Sequence, residues 1–397
     1  MFVTIILTLL AFCTLAEVFI HRALLRTSSH RRRVVYYTAT AICTLPYLTI
    51  FTLGRIVDLH SPTVATISSV GIVLLLINIT WKTLVTLGII IGGLTRKRWV
   101  VILSISLAAA TTLTIFYGTL WERYQLRTTH VEIAFENLPE GADGLRVVQF
   151  GDLHIGLTPR KHLILERLAT EVERLQPDLV VDCGDMINTR HSEVDSLSME
   201  ILSRITAPLG VYTVMGNHDL GIYVRDTLSL PREENRRLLR ERQSEMGWHN
   251  ITDSTAVIPV GGDTLYLTAI GYPKGLKRGS HGVNANEDYT HLFEGLPEEA
   301  FNMVIAHSPA MWNDIINATN AELTLSGHVH SMQLKLPIGE RGWSPAALVY
   351  DHWSGLYRKG DAAINITDGV GSSLPVRVGV KPEIVVITLK KCRNSQF

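Results

Sequence analysis

Apolar residues are concentrated in four long segments within the first 121 residues of the chain. These segments cover residues 2–20, 34–53, 64–94 and 99–121. A helix that crosses the hydrocarbon core of a membrane needs about 20 mainly apolar residues. The pattern therefore predicts a transmembrane region, residues 1–121, with four helices. The third segment is the longest and contains Lys82, and we interpret it as one tilted or protruding helix.

Charged residues are rare in this region, and Glu17 and Asp58 are its two acidic residues. Glu17 lies one helical turn before His21, so we expect these two side chains to pair at the membrane interface. A cleavable signal peptide is the alternative interpretation of the first segment. That segment lacks a basic start and an evident small-residue cleavage site, and further apolar segments follow it.

The loops between the four segments differ in charge, and this difference predicts the orientation of the chain. Residues 21–33 contain five arginines and no acid, and residues 95–98 read Thr-Arg-Lys-Arg. The second loop, residues 54–62, balances Arg55 against Asp58. Basic loops stay on the cytoplasmic side of a membrane. We therefore expect residues 122–397 to lie outside the cytoplasmic (inner) membrane.

From residue 122 onward, short apolar runs alternate with amphipathic segments. Five runs have the length of buried strands: residues 145–150, 178–183, 211–215, 302–306 and 322–326. Between the first two, leucine and valine recur at helical spacing from Leu165 to Leu175. This alternation predicts an α/β fold. We assign residues 122–142 to a connector with a first strand and residues 143–397 to one domain, with an irregular loop at 272–292.

Polar side chains follow each of the five predicted strands. The sequences at the strand ends are Gly151-Asp152-Leu153-His154, Gly184-Asp185, Gly216-Asn217-His218-Asp219, His307 and Gly327-His328-Val329-His330. In open α/β sheets, ligands bind beyond the carboxyl ends of the strands, so we expect these side chains to meet at one edge. Carboxylate and amide oxygens combined with imidazole nitrogens favour Mn²⁺, Fe or Zn²⁺ over Ca²⁺. The sequence therefore predicts a metal site.

Taken in this order, the motifs closely resemble those of the calcineurin-like metallophosphoesterase superfamily, over roughly residues 143–390. With four apolar segments ahead of them, the chain is similar to the membrane-anchored bacterial branch of that superfamily, and so is its tail, residues 368–389. The resemblance implies a four-layer fold of two mixed sheets packed face to face and flanked by helices. It also implies two divalent metal ions, with a metal-bridging hydroxide as the nucleophile.

The resemblance further implies a role for each motif residue. Seven residues would be metal ligands: Asp152, His154 and His330 for the first ion, Asn217, His307 and His328 for the second, and Asp185 as the bridge between them. His218 directly follows a ligand and would act as a general acid or as a phosphate clamp. Asp219 would orient the imidazole of His218, or else cap the next segment.

The sequence departs from the pattern of many relatives at three places, two single residues and one short stretch. Gly151 stands where serine is frequent, Asn188 stands where an acid is frequent, and Ser331-Met332-Gln333 replaces a frequent Gly-Gly-Gln. None of these changes removes an expected ligand. They concern the metal preference and the rim of the substrate site.

Charge and cysteine usage exclude several other classes of protein. The formal net charge is zero and no basic stripe is interleaved with aromatic residues, so we expect no nucleic-acid partner. The four cysteines show no spacing typical of a zinc site or a disulfide framework. The expected protein is a membrane-tethered phosphoesterase for a phosphomonoester, phosphodiester or pyrophosphate, and its phosphorylated substrate would be an envelope lipid or glycolipid.

Two alternatives stay open at this point. One is a phosphodiesterase for soluble or cyclic nucleotides, and the other is a membrane receptor or transporter with a non-catalytic module. Two further features concern the substrate side. Lys274, Lys277 and Arg278 would contact either a phosphate group or solvent. Trp343 and residues 350–357 would line either the substrate site or the core.

Overall fold

The structure, a computed structural model, describes residues 2–53, 62–223, 230–272, 289–372 and 374–392. The chain divides into two compact units, a helical unit formed by Met1–Trp121, to which Leu374–Val376 are also assigned, and a second unit that begins at Glu122. Most of the predicted loop 272–292, including its basic residues, lies outside the described residues.

The helical unit contains four long helices. They are α1 (Phe2–Ile20), α2 (His30–Leu53), α3 (Pro62–Thr95) and α4 (Arg98–Leu120). α2 begins four residues before its apolar segment because the polar residues 30–33 form its first turn. Hydropathy alone does not predict a helix over these polar residues. A two-residue turn joins α3 to α4, with Arg96 at a φ of 55°. Ile20, Val85 and Ala108 pack in one buried cluster that links α1, α3 and α4.

Two stretches of the described residues are long and apolar enough to cross a membrane, judged by length and composition. They are Thr66–Thr95 and Arg98–Tyr124. The interpretation of all four helices as membrane spans therefore stays a prediction.

Polar contacts inside the helical unit differ from the expected pair of Glu17 with His21. The Glu17 carboxylate lies 3.1 Å from the Lys82 ammonium on α3 and accepts a 3.3 Å hydrogen bond from the Tyr36 hydroxyl on α2. The His21 Nδ1 instead lies 2.6 Å from the Tyr37 hydroxyl. Packing of three helices brings Lys82 to Glu17, a contact between distant segments that spacing along one helix does not indicate.

The second unit alternates strands and helices. Its strands are β1 (Arg127–Phe135), β2 (Arg146–Phe150), β3 (Leu179–Asp182), β4 (Val211–Thr213), β5 (His249–Asn250), β6 (Ser254–Val260), β7 (Asp263–Ile270), β8 (Asn302–Ala306), β9 (Ala321–Ser326), β10 (Gly355–Lys359), β11 (Ala362–Ile366) and β12 (Glu383–Lys391). Its helices are α5 (Lys161–Leu175), α6 (Ser196–Leu202), α7 (Arg232–Glu245) and α8 (Trp312–Ala318). All five predicted strands are present. β3 ends one residue before the end of its predicted run, and β4 ends two residues before the end of its own.

The strands form two mixed sheets of six strands each. The first has the order β1-β12-β2-β3-β4-β5, and the second has the order β10-β11-β9-β8-β7-β6. β2, β3 and β4 are parallel neighbours in the first sheet. β8 and β9 are parallel neighbours in the second. The five strands that carry the polar motifs therefore form one parallel group in each sheet.

Apolar residues of the two sheets pack against each other. One buried cluster combines Val147 and Val181 of the first sheet with Leu267 and Ile305 of the second. Because side chains alternate along a strand, the neighbouring residues face outward. Those of the first sheet cluster with α5, where Leu165, Leu168, Val172 and Leu175 are buried at the predicted helical spacing. Those of the second cluster with α8. The order of layers is helix, sheet, sheet, helix.

Candidate metal centre

The loops after β2, β3 and β9 bring together the first group of predicted ligands. The Asp152 Oδ1 lies 3.3 Å from the His330 Nε2. The His154 Nε2 lies 3.2 Å from the same nitrogen and 3.8 Å from the Asp185 Oδ2. These side chains are all buried. Four predicted ligands from three strand ends thus direct an oxygen or a nitrogen toward one point.

The second group is built in the same way from the loops after β3, β4, β8 and β9. The His307 Nε2 lies 3.1 Å from the Asp185 Oδ2 and 2.9 Å from the Asn217 Oδ1. It also lies 3.2 Å from the His328 Nδ1. The Asp185 Oδ2 is therefore common to both groups, as expected of a bridging carboxylate.

The chemistry of these atoms fits two divalent cations. In three sets of residues, the potential ligand atoms all lie within 4.8 Å of one another: Asp152, His154 and His330; His154, Asp185 and His218; and Asp185, His307 and His328. Carboxylate oxygens accept hydrogen bonds only, and two imidazole nitrogens 3.2 Å apart share at most one proton. Lone pairs that converge in a buried space need a positive charge between them.

Backbone strain is concentrated in the ligand residues. Five of the seven predicted ligands have positive φ angles: Asp152 (55°), His154 (42°), Asp185 (57°), His328 (70°) and His330 (50°). This region is unfavourable for residues other than glycine, and each such residue costs about 1–3 kcal/mol. The surrounding contacts hold these conformations, which aim side chains from neighbouring loops at the same point.

Glycines beside the ligands allow the loops to approach closely. A Cβ atom on Gly327 would lie 2.4 Å from the Asp152 Oδ2, and one on Gly216 would lie 2.2 Å from the Asp185 Oδ1. Any side chain at these positions would therefore displace a ligand carboxylate. This explains why glycine precedes the polar residues at these strand ends.

Hydrogen bonds on the far side of two imidazoles fix which nitrogen faces the centre. The His307 Nδ1 donates to the Cys183 carbonyl at 2.8 Å, which leaves Nε2 as the ligand atom. The His154 Nδ1 lies 2.9 Å from the Asn188 Oδ1, so its Nε2 faces the centre. Such outer partners orient metal-binding histidines. Asn188 was noted in the sequence only as a departure from relatives, and its position here gives it a role.

His218 lies at the mouth of the centre and is partly exposed. Its Nδ1 donates to the Asn188 carbonyl at 2.8 Å, and its ring meets the His154 ring edge to face, with centroids 4.7 Å apart. Its backbone N–H donates to the Asp185 Oδ1 at 2.8 Å. Because Nδ1 carries the hydrogen, Nε2 is the nitrogen that can exchange a proton with a substrate.

Asp219 does not orient His218, contrary to one of the two expected roles. Its carboxylate accepts hydrogen bonds from the backbone N–H groups of Asp185, Met186, Ile187 and Gly216, at 2.7, 3.3, 3.1 and 3.1 Å. Burial, together with the charge of Asp185, raises the pKa of Asp219 well above its usual value. Both oxygens nevertheless face N–H donors, which favours the carboxylate. Asp219 therefore holds two ligand loops together.

Burial keeps two of the imidazoles neutral. It lowers the pKa of His154 to about 3, and the nearby His218 adds to this effect. It also lowers the pKa of His328 to about 3, with a contribution from His307. A neutral imidazole has the lone pair that a metal ligand requires.

The carboxylates and His307 carry charge. Burial alone would raise the pKa of Asp152, but His330 outweighs it and lowers that pKa to about 2. Burial alone would lower the pKa of His307, but the adjacent Asp185 raises it to about 10. Without another cation, the His307 proton neutralises Asp185. Binding of a divalent ion at this position would release that proton.

Two features of the site were missed in the sequence. The Tyr223 hydroxyl accepts a 3.0 Å hydrogen bond from the Asn217 Nδ2, which turns the amide oxygen of Asn217 toward His307. The centroid of the Tyr223 ring lies 4.3 Å from that of the His218 ring.

The second feature is in the tail, where the Gly371 N–H donates to the Asp152 carbonyl at 2.7 Å. The fully buried Arg377 donates to the carbonyls of Asp368, Gly369 and Gly371 and so holds the tail in place. Neither polar spacing nor hydropathy marks these contacts.

Residues 145–332 match the sequence model of a family described as calcineurin-like phosphoesterase. This span includes all seven predicted ligands together with His218 and Asp219. It ends before the tail residues that complete the site in the structure.

Three relatives illustrate the range of similar proteins. An uncharacterized metallophosphoesterase of Bacillus subtilis, YkuE, is 28% identical over 283 residues, which cover 69% of this chain and 89% of its own length. A transmembrane protein with metallophosphoesterase domain from Danio rerio is 29% identical over 281 residues, 69% of this chain and 60% of its own. The UDP-2,3-diacylglucosamine pyrophosphatase LpxG of Chlamydia muridarum is 32% identical over 120 residues, 30% of this chain and 36% of its own.

Proposed function

We propose that this chain, which carries a calcineurin-like phosphoesterase domain over residues 145–332, hydrolyses a phosphoester or pyrophosphate bond of a lipid or glycolipid at a membrane surface. The observation that carries the phosphoesterase activity is the Asp185 Oδ2, which belongs to two adjoining groups of buried ligand atoms. A centre of this kind suits in-line displacement at phosphorus.

In this proposal seven residues would hold two divalent metal ions. Asp152, His154 and His330 would hold one ion, Asn217, His307 and His328 would hold the other, and Asp185 would serve both. When bound, such ions polarise the phosphoryl oxygens and make water nucleophilic at neutral pH. The mixed oxygen and nitrogen ligands suit Mn²⁺, Fe or Zn²⁺.

His218 acts on the leaving group. Its Nδ1 hydrogen bonds to the Asn188 carbonyl, so the Nε2 faces the mouth of the site and donates a proton to the departing oxygen or binds a phosphoryl oxygen. The hydrogen bond to a carbonyl stabilises the positive charge of the imidazolium while it holds the proton. Asp219 keeps the loop of His218 beside that of Asp185 and touches no substrate.

A lipid substrate is supported by three observations. Two helices among the described residues are apolar and long enough to cross a membrane. Only residues 121–126 separate the end of α4 from the start of β1. The relative from Chlamydia muridarum is named a UDP-2,3-diacylglucosamine pyrophosphatase, a name that specifies a substrate with two acyl groups. A short tether and a lipid substrate are consistent with each other, since the substrate is concentrated at the bilayer.

The proposal also retains the topology that the sequence predicts. All four long helices span the cytoplasmic membrane, and the catalytic domain, residues 143–397, follows the connector 122–142 on the extracytoplasmic side. The charge asymmetry of the loops supports this orientation, with five arginines in residues 21–33.

Two measurements on the full chain test the proposal. Protease added to intact spheroplasts should digest the catalytic domain and spare the helices, whereas protection of that domain would overturn the orientation. Purified protein reconstituted with Mn²⁺ should hydrolyse a lipid-linked phosphate faster than the water-soluble headgroup of the same lipid. A preference for the free headgroup, or for soluble or cyclic nucleotides, would remove the lipid and leave the phosphoesterase.

A further inference from the structure

Solvent-exposed apolar side chains are concentrated in one short stretch of the catalytic unit. Among the described residues from Glu122 onward, nine large apolar side chains are exposed, and five lie between positions 336 and 349: Leu336, Ile338, Trp343, Leu348 and Val349. The other four, Leu163, Leu197, Val257 and Leu374, are scattered singly along the chain, as on most soluble surfaces. A contiguous exposed apolar patch indicates an interaction site. We call residues 336–349 the apolar hairpin.

The apolar hairpin is an ordered element. The Leu336 N–H donates to the Trp343 carbonyl at 2.8 Å, and the Trp343 N–H donates to the Leu336 carbonyl at 2.9 Å. A 3₁₀ turn follows (Pro345–Leu348), and the Ser344 hydroxyl accepts a hydrogen bond from the Ala346 N–H at its start. These bonds give the segment a defined backbone conformation, which suits contact with the headgroup region of a bilayer.

Arg341, in the loop between Leu336 and Trp343, connects the apolar hairpin to the rest of the unit. Its guanidinium donates to the Ser354 and Leu356 carbonyls at 2.8 and 3.1 Å and lies 3.9 Å from the centroid of the Tyr357 ring. These contacts hold the hairpin, with its exposed apolar side chains, in a fixed position on this unit.

The apolar hairpin is also joined directly to a loop of the metal centre. The Ser344 hydroxyl donates to the Ser331 carbonyl at 2.5 Å, next to the ligand His330. Ala346 packs in one buried cluster with Val329, which lies between the ligands His328 and His330. Whatever binds the hairpin is thus held at a fixed short distance from the metal centre.

We propose that the apolar hairpin docks on a lipid bilayer surface. A stable protein interface needs about 20–30 residues and about 800 Å² from each partner, and this segment of 14 positions with five exposed apolar side chains is too small for one. An exposed tryptophan such as Trp343, among exposed aliphatic side chains, is typical of the boundary between headgroups and acyl chains. The same chain has helices apolar enough to cross a membrane.

Docking would place the metal centre at the level of lipid headgroups. This consequence rests on the proposed function, because it explains how a phosphate attached to a lipid reaches His328 and His330 without leaving the bilayer. Trp343 would then contact lipid, a role that differs from both positions considered from the sequence, the substrate site and the core.

The first test measures depth. The full chain with Cys392→Ser and Ile338→Cys is spin-labelled in vesicles of phosphatidylcholine and phosphatidylglycerol, with the Cys392→Ser protein as background. The matched control is Val257→Cys, because Ile338 and Val257 are 61% and 60% exposed and lie near opposite edges of the second sheet. We expect the label at 338 to be accessible to oxygen and protected from a water-soluble nickel reagent, and the label at 257 to show the reverse. Equal aqueous accessibility at both positions would overturn the proposal.

The second test separates docking from catalysis. Ile338→Glu should lower the ratio of lipid to soluble-substrate turnover by about tenfold or more, the scale of burying one such side chain, and Val257→Glu should leave the ratio unchanged. The soluble substrate is a chromogenic phosphodiester. Failure of the wild type on both substrates would contradict the proposed function, whereas full activity with an unchanged ratio in Ile338→Glu would contradict the docking alone. Loss of a dimer on Ile338→Glu in detergent would assign the hairpin to a second copy and also overturn it.

Discussion

Buried ionisable groups occur in both units of this protein, and they are arranged in opposite ways. In the helical unit, the Lys82 ammonium lies 3.1 Å from the Glu17 carboxylate, which also accepts a hydrogen bond from Tyr36. One cation and one donor thus match one anion. In the metal centre, the His307 proton can neutralise Asp185, 3.1 Å away, but Asp152 and the neutral imidazoles of His154 and His328 add lone pairs without adding protons.

The difference shows that buried charge alone does not indicate chemistry. A pair of opposite charges needs no further cation, and here it joins side chains of three helices. A set with more lone pairs than protons is stable only with added cations. The balance of donors and acceptors therefore distinguishes a structural ion pair from a site that binds metal.

The strongest way to break this comparison is to remove the shared charge. Asp185→Asn should lower hydrolysis by more than about 10⁴-fold, beyond the usual cost of a lost general acid, because a neutral amide cannot replace a carboxylate common to two cations. Metal content, measured by elemental analysis after reconstitution, should fall together with activity. Retention of both metals and normal turnover would contradict the two-metal assignment.

Asp182→Asn is the matched control for that change. Asp182 lies three residues away at the end of β3 and is equally buried, and its carboxylate accepts hydrogen bonds from the Gly184 N–H and the Thr213 hydroxyl. Burial raises its pKa to about 7, so a neutral amide of the same shape suits the position. We expect the variant to keep both metals and most of its activity.

The next largest effect distinguishes the roles of two adjacent residues in the same loop, His218 and Asn217. His218→Asn should retain both metals and slow turnover by about 10²–10⁴-fold, the usual cost of a lost general acid. Asn217→Ala should instead lose metal, because the Asn217 Oδ1 lies among the ligands of the second group. Metal content and turnover measured on both variants give the contrast. Loss of metal from His218→Asn would make His218 a ligand.

Sequence reasoning found the parts of this site that lie next to one another along the chain. Glycine followed by Asp, Asn or His at a strand end is visible in the sequence, and the structure brings these residues together as expected. The partners of Glu17, Asp219 and His154 were not found, since each depends on contacts between segments far apart. Asp219 holds the loop of Asp185 because the ends of β3 and β4 are neighbours, a fact that the order of motifs does not contain.

The same limit applies to the bounds of the fold. Hydropathy located the apolar part of α2 but not its polar first turn, since residues 30–33 form helix without being apolar. The tail was recognised by resemblance, yet its physical task came only from the structure, where Arg377 and Gly371 fix it to the Asp152 loop. The sequence pattern therefore identifies the residues that carry the chemistry. The contacts that hold these residues in place are visible only in the packing of the folded chain.

The smallest expected effect on catalysis comes from a change in the helical unit. This change tests whether the Glu17–Lys82 pair serves structure alone, in contrast to the metal centre. Lys82→Met leaves the Glu17 carboxylate without its cation, and loss of one partner of a buried pair costs about 3–5 kcal/mol. The helices should therefore unfold at lower concentrations of sodium dodecyl sulfate, followed by circular dichroism, while metal content and turnover of a soluble phosphodiester stay unchanged. The double variant Glu17→Gln with Lys82→Met removes both charges and should recover most of the lost stability. A double variant as unstable as the single one would show that Lys82 acts through packing of its alkyl chain, and loss of activity in either would mean that this pair serves the catalytic unit.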